Sequence, residues 1–213
     1  MSAETKDRAK DLLEVATELF ARRGFHGVSV RDICSELQVN CSTISYYFGG
    51  KSKLYMSVLK AQFEAYEDSL NENITRNPDP KEEFLALCDC IQQIHIRCPH
   101  LAVIACRESC NPSPEWCKAL YEHEAKYGGG HLLNLIRRGQ TQGTLNPEIN
   151  PVYLSRIMSM IFNGQTVART MSDVLHSEMD FSDAEYYATV KAILLAGVMN
   201  YSGQKTTHGE ASS

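Results

Sequence analysis

Apolar positions recur along this chain with the spacing of helices almost from end to end. Leu12, Ala16, Leu19 and Phe20 fall on one face with Leu13 beside them, and Gly24 stops that helix. Ser29 and Asp32 have the S-x-x-D form of a capping box, which predicts a second helix over about 30–37. Asn40 is a good N-cap for a short third helix over about 41–47, and Gly49-Gly50 breaks it. A fourth helix is predicted from Lys51 to about Arg76, with Leu54, Tyr55, Val58, Leu59 and Phe63 on its apolar face. Pro78 and Pro80 separate it from a fifth, whose Phe84, Leu87, Cys88, Ile91, Ile94, His95 and Cys98 share a face that Pro99 closes. Leu101–Cys110 reads as a sixth. Ser113-Pro114 opens a seventh over about 115–142, where Gly128-Gly129-Gly130 would cost on the order of 2–3 kcal/mol against alanine and predicts a kink or a closely packed partner. The eighth covers about 151–177 and the ninth about 183–202. Neither a convincing strand nor an internal repeat is legible. The fold class is all-α, with about nine helices.

Composition adds little until it is divided. The 213 residues are 43% hydrophobic and carry a net charge of −5, which suits a soluble globule and argues against indiscriminate coating of nucleic acid. Residues 1–60 nevertheless hold nine Lys/Arg and seven Asp/Glu, and the remainder holds twelve and nineteen. A basic N-terminal unit thus stands beside an acidic body, which permits a DNA contact made by one part only. The longest apolar run, Ile193–Met199, is far short of the roughly 20 residues needed to span a bilayer. With no apolar leader-like stretch at the start, the expected location is the cytoplasm, with no membrane partner.

The segment SYYFGGKSK, Ser45–Lys53, poses a local puzzle. Two lysines begin the fourth helix, where the dipole is already positive and a cation typically costs about 0.3–1 kcal/mol. A phosphate seated between them and the free N–H groups reverses that sign. The second and third helices, joined by a tight turn, form a helix-turn-helix, whose second member enters the major groove of DNA. Here that member offers Ser42, Thr43, Ser45, Tyr46 and Tyr47 and no acid. Adjacent Tyr46, Tyr47 and Phe48 cannot all face inward, so Phe48 is expected in the core and Tyr47 on phosphate.

The stretch LFARRGFHGVSVRDICSELQVNCSTISYYFGGKSKLY, Leu19–Tyr55, resembles the DNA-binding signature of TetR-family transcriptional regulators. Phe20, Gly24-Phe25, Ser29, Val30, Ile33, Val39, Thr43, Tyr46-Tyr47-Phe48, Lys51 and Leu54 carry the match. The resemblance implies a helix-turn-helix domain over 1–50, a connecting helix over 51–76, an effector-binding and dimerisation domain over 77–203 and a disordered tail over 204–213. It implies DNA contacts by Val30, Arg31, Ser42, Thr43, Ser45, Tyr46, Tyr47 and Lys51. Ser45 and Cys34 depart from the residues usual at those places, Tyr and Ala. The implied function is a ligand-responsive repressor, released as a homodimer from palindromic double-stranded operator DNA by a small organic effector, with no enzymatic activity.

In the C-terminal part the resemblance is one of architecture only. Phe84, Cys88, Ile91, Trp116, Tyr121 and Phe162 are candidates to line an apolar effector pocket, with His95, Arg107 and Gln165 as polar anchors. Tyr153, Ile157, Ile161, Tyr186, Val190, Leu194 and Val198 are candidates for the dimer face, with Gly164 and Gly197 allowing close approach. Eight cysteines leave a thiol- or metal-responsive repressor open as an alternative, and a cysteine-dependent helical enzyme as a more distant one; a helical adaptor binding protein is a third. No phosphate loop, nucleophile elbow or HExxH spacing implies a cofactor or a resident metal.

Overall fold

The computed structural model describes residues 3–73, 77–127, 131–175 and 183–199. Among these, ten α-helices account for nearly all the regular structure: α1 (Ala3–Arg23), α2 (Val30–Glu36), α3 (Ser42–Phe48), α4 (Lys51–Asn73), α5 (Pro80–Arg97), α6 (Pro99–Cys110), α7 (Pro114–Tyr127), α8 (His131–Thr141), α9 (Pro151–Leu175) and α10 (Asp183–Leu194). A π-helical turn over Leu195–Met199 follows. The single long helix expected over 115–142 is two, α7 and α8. Its glycines lie outside the described residues, as do 74–76, 176–182 and the tail.

Local chemistry sets most of the ends. Ser29 accepts from the Asp32 N–H at 3.1 Å while the Asp32 carboxylate accepts from the Ser29 N–H at 2.6 Å, a complete capping box. Gly49, at φ 75°, closes α3 in the left-handed region with its N–H on the Ser45 carbonyl. Asp79, Ser113 and Asn150 each accept a backbone N–H at the start of the following helix, and proline occupies the first position of all three.

Two hydrophobic cores result. The first gathers Leu12, Ala16, Leu19 and Phe20 of α1, Ile33 and Cys34 of α2, Ile44 of α3 and Leu54, Tyr55, Val58 and Leu59 of α4, and extends to Leu101 and Ile104 of α6 and Trp116 of α7. The second joins Leu70 of α4 to Phe84, Leu87, Cys88, Ile91 and Ile94 of α5, Leu135 and Ile136 of α8, Leu154, Met158 and Phe162 of α9, and Tyr187, Val190 and Leu194 of α10. Helix α4 enters both. Its 23 residues make a rod of about 34 Å. Alongside it lies α7, tied by Ser52 to Glu115, by Lys60 to Glu122 at 2.9 Å and by Glu67 to His123 at 2.9 Å.

Candidate nucleic-acid interface and effector region

Helix α3 is seven residues long and anchors itself by one fully buried side chain, Ile44, with Phe48 packed one turn later. That leaves Ser42, Ser45 and Tyr46 exposed on the opposite face, Tyr46 at 79%. Tyr47 lies at the edge, half-buried against the core, its ring edge-on to Tyr46 at 5.0 Å. Three neighbouring aromatics therefore point outward, sideways and inward, as the helical period requires. Thr43 is half-buried, and so is Val30, which packs on the core at the start of α2. Arg31 beside it is exposed.

Asn40 shapes the turn between the two helices. Its side-chain oxygen accepts from the Ser42 N–H at 2.9 Å and the Ser42 hydroxyl at 2.8 Å. Cys41, the residue at the helix boundary, makes no side-chain cap of its own. Neither α3 nor α4 carries an acid in its first turn. Lys51 opens α4 with its ammonium 4.3 Å from the Phe25 ring centroid, a cation–π contact. Phe25 in turn stacks on Tyr55 at 5.0 Å. The Asp32 carboxyl is held below its ordinary range, first by the Ser29 hydrogen bonds and more weakly by Arg23 and Lys51. The outward face is thus rich in hydroxyls, N–H groups and cations, the chemistry that meets phosphate and base edges.

The nine residues expected around an effector do not converge. Phe84, Cys88, Ile91 and Phe162 share the second core. His95 joins them through a 2.5 Å hydrogen bond between its Nδ1 and the Tyr187 hydroxyl, and Gln165 is buried nearby on α9. Trp116 instead belongs to the first core, 5.5 Å from the Phe63 ring. Tyr121 is 74% exposed, because α7 turns its Trp116 and Ala119 face toward α4 and Tyr121 away from it. Arg107 is exposed and spends its guanidinium on α1: Nε donates to the Ala21 carbonyl at 2.8 Å and Nη2 to the Arg22 carbonyl at 2.7 Å. A cation at carbonyls that end a helix is favourable both as a cap and toward the dipole. It is a link between α6 and α1, not a pocket anchor.

Buried carboxylates carry the interior polar contacts, and sequence reading missed all three. Glu108, 6% exposed, accepts from the Tyr55 hydroxyl at 2.6 Å and from the Ser113 N–H at 2.5 Å. Glu83, 1% exposed, receives Arg138, His131 at 3.2 Å and the Asn77 N–H at 2.9 Å. Glu67 pairs with His123, which stacks on Phe63 at 4.7 Å. An ionised group is buried only when such partners replace water. The one hint in the sequence was an acid on the apolar side of a helix.

On α9, Tyr153, Ile157 and Met160 form an exposed apolar stripe of 64%, 51% and 73%, with Ile193 of α10 exposed at 61%. Val190 and Leu194, expected on the dimer face, are buried within the chain's own second core. Gly164 serves a contact inside the chain: a Cβ there would collide with the Tyr186 hydroxyl, which bonds the Ile161 carbonyl. The Val198 side chain lies outside the described residues.

Four of the effector-domain thiols, Cys88, Cys90, Cys98 and Cys106, lack the setting of reactive cysteines, while Cys110 and Cys117 are exposed. Burial pushes Cys88 up to about 12 and raises Cys90, Cys98 and Cys106, the reverse of thiolate activation. Among the described residues no group of three His, Cys, Asp or Glu is placed to hold a metal ion, and no helix is long and apolar enough to cross a membrane.

Comparison with known proteins agrees with this geometry. The family described as bacterial regulatory proteins, tetR family, matches residues 12–58. The HTH-type transcriptional repressor NicS of Pseudomonas putida is 27% identical over 209 residues, 92% of this chain and 95% of that one. The fatty acid degradation regulator FadR of Bacillus halodurans superposes with a TM-score of 0.69 at 18% identity, over 88% of this chain and 98% of its own. A putative transcriptional regulator from Saccharomonospora viridis, solved in complex with choline, gives 0.66 at 21% identity, over 91% and 98%. With its helix-turn-helix, its two-core helical body and a relative aligned over nearly its whole length, the chain carries the DNA-binding segment of the bacterial tetR family over residues 12–58 and is similar along its length to a TetR-type transcriptional repressor.

Proposed function

We propose that this regulator is a homodimeric repressor that holds a palindromic operator and leaves it when a small organic molecule binds the C-terminal body. The observation that carries the reading is the face of α3. Ser42, Ser45 and Tyr46 stand free of the core, with Thr43 and Tyr47 at its flanks and Arg31 and Lys51 at the starts of α2 and α4. Hydroxyls read base edges and phosphates, and the cations supply the counterion-linked affinity. Residues 1–50 act as the reading unit, 51–76 as the connector and 77–203 as the effector and dimer unit. The exposed stripe Tyr153, Ile157 and Met160 with Ile193 supports pairing of α9 and α10 with a second copy, which gives the two-fold symmetry a palindrome needs.

The second core is the favoured effector region. Phe84, Cys88, Ile91 and Phe162 offer an apolar wall, and His95 and Gln165 offer polar groups. One protein of this fold was solved in complex with choline, a small organic molecule, which supports an organic effector here. A ligand there adjoins α4 at Leu70 and α5 along its length. Arg107 and Glu108 on α6 hold α1, Tyr55 of α4 and the start of α7, so displacement of α6 or α4 reaches the reading unit directly. An effector preferring the released state by about 1–3 kcal/mol weakens DNA binding roughly 5–150-fold.

The test is selection of a duplex from a random-sequence pool, then binding over a salt series. A palindromic consensus, bound steeply less tightly as salt rises, is expected. A protein that enriches no sequence, or whose affinity ignores salt, is not a repressor of this kind.

A further inference from the structure

Cysteines 34 and 41 sit on the two sides of the turn that joins α2 to α3. The Cys34 thiol is buried at 2% exposure and lies 3.8 Å from the Asn40 carbonyl, the group immediately before Cys41. The Cys41 side chain also bears on it, and Cys41 itself is exposed. A sheltered thiol and an accessible one thus adjoin inside the reading motif, where the sequence places Cys34 in the core and Cys41 in the segment whose oxidation would disturb binding.

We infer that Cys34 and Cys41 form an intramolecular disulfide on exposure to a hydroperoxide, and that this disulfide lowers DNA affinity independently of any effector. The steps balance. The exposed Cys41 sulfur attacks the peroxide O–O bond, releases an alcohol or water and becomes a sulfenic acid. The Cys34 sulfur then attacks the Cys41 sulfur, the S–O bond breaks, and the hydroxyl leaves as water with the Cys34 proton. Two thiols are oxidised by two electrons and one hydroperoxide is reduced. Burial and the neighbouring Cys41 push the Cys34 thiol up to about 11, so Cys34 is not the thiol that meets the peroxide, and its attack on the Cys41 sulfur depends on their proximity.

The consequence for DNA follows from Asn40. Its carbonyl faces the Cys34 thiol, and its side chain holds both the N–H and the hydroxyl of Ser42, the first residue of the reading helix. A covalent S–S bond is much shorter than any contact between intact thiols, so Cys41 must be drawn toward α2. Helix α3 is held by Ile44 and, toward its C-terminal end, by Tyr47 and Phe48, so the pull falls on its exposed start at Ser42. Ser42, Thr43 and Ser45 move with it, and displacements on the order of 1 Å are enough to break hydrogen-bond geometry.

Full-length protein is treated with tert-butyl hydroperoxide or with dithiothreitol, then bound to a duplex that the reduced protein selected from a random pool. Cleavage after Arg31 and Lys51 leaves both cysteines in one peptide, and cleavage after Glu36 separates them. The expected result is a 32–51 peptide lighter by two hydrogen atoms whose halves stay joined after the second cleavage. Affinity should fall at least about tenfold and recover with dithiothreitol. Cys41→Ser, compared with its own reduced form, should show neither change. Joined peptides from other cysteines instead, a 34–41 link that leaves affinity unaltered, or an equal loss in Cys41→Ser would each overturn the inference.

Discussion

Removing one oxygen atom, in Tyr55→Phe, tests whether the buried Glu108 network joins the two halves of the molecule. Tyr55 is 1% exposed on α4, stacked with Phe20 and Phe25, and its hydroxyl donates to Glu108 at 2.6 Å. The substitution keeps the ring and removes one of two donors that a carboxylate at 6% exposure receives. A hydrogen bond to a charged group contributes about 1.5–3 kcal/mol, and the carboxylate left behind cannot regain water. For a chain of this length the melting temperature should fall by about 3–12 °C. The pH dependence supplies a second arm. Burial first, and the Glu108 contact next, raise the Tyr55 phenol well above the ordinary tyrosine value. A group whose folded pKa is raised lends stability that is complete below its unfolded value near 10 and lost as pH climbs beyond it. The unfolded chain ionises there while the folded chain stays neutral, so each such tyrosine costs the folded state about 1.4 kcal/mol per pH unit. Phenylalanine lacks that slope, so the gap between parent and Tyr55→Phe should narrow by about 1 kcal/mol between pH 10 and 11, and by about 1.4 kcal/mol between pH 8 and 11. Denaturant unfolding followed by circular dichroism at pH 8, 10 and 11 measures both arms. A melting point within 1 °C of the parent at pH 8 (about a few tenths of a kcal/mol), or a gap that does not change with pH, would refute the reasoning.

Lys51→Ala should weaken binding to specific and random duplexes alike and lower the salt slope by about one unit; an unchanged slope in a gel-shift series removes Lys51 from the phosphate contacts. Ile157→Glu places a charge in the exposed stripe of α9 and should yield monomers by sedimentation velocity at micromolar concentration, whereas a stable dimer would move the interface elsewhere. Gly164→Ala should destabilise the fold by about 1–3 kcal/mol through collision with the Tyr186 hydroxyl, and Tyr186→Phe in that background should recover part of the loss in urea melts. The Asp32 carboxyl has a lowered pKa, so its support for the start of α2 is present above the ordinary aspartate range and lost as pH falls; Asp32→Asn should flatten that acid limb in a circular dichroism titration.

What the sequence determined by itself is local and repetitive. Helical period, capping chemistry and turn residues act over four residues or fewer, so Ser29 with Asp32, Gly49, Ser113 and Pro80 marked their helix ends without knowledge of anything distant. The reading motif was legible for the same reason: it lies within one short stretch, and the period alone turns Tyr46 outward and Phe48 inward. Tertiary structure decided everything that depends on which face meets which. Arg107 could have pointed anywhere until α1 placed two open carbonyls 86 and 85 residues away within its reach. Trp116 is as apolar as Phe162, yet α7 lies against α4 and delivers it to the first core, while α9 delivers Phe162 to the second. Glu67, Glu83 and Glu108 gain their partners His123, Arg138 and Tyr55 only in the fold, because those partners are remote in the chain. Val190 and Leu194 match the exposed Ile157 in hydrophobicity, and only packing shows which of them the chain covers itself. A buried charge and an unpaired apolar face are properties of two surfaces, and a one-dimensional pattern describes one surface at a time.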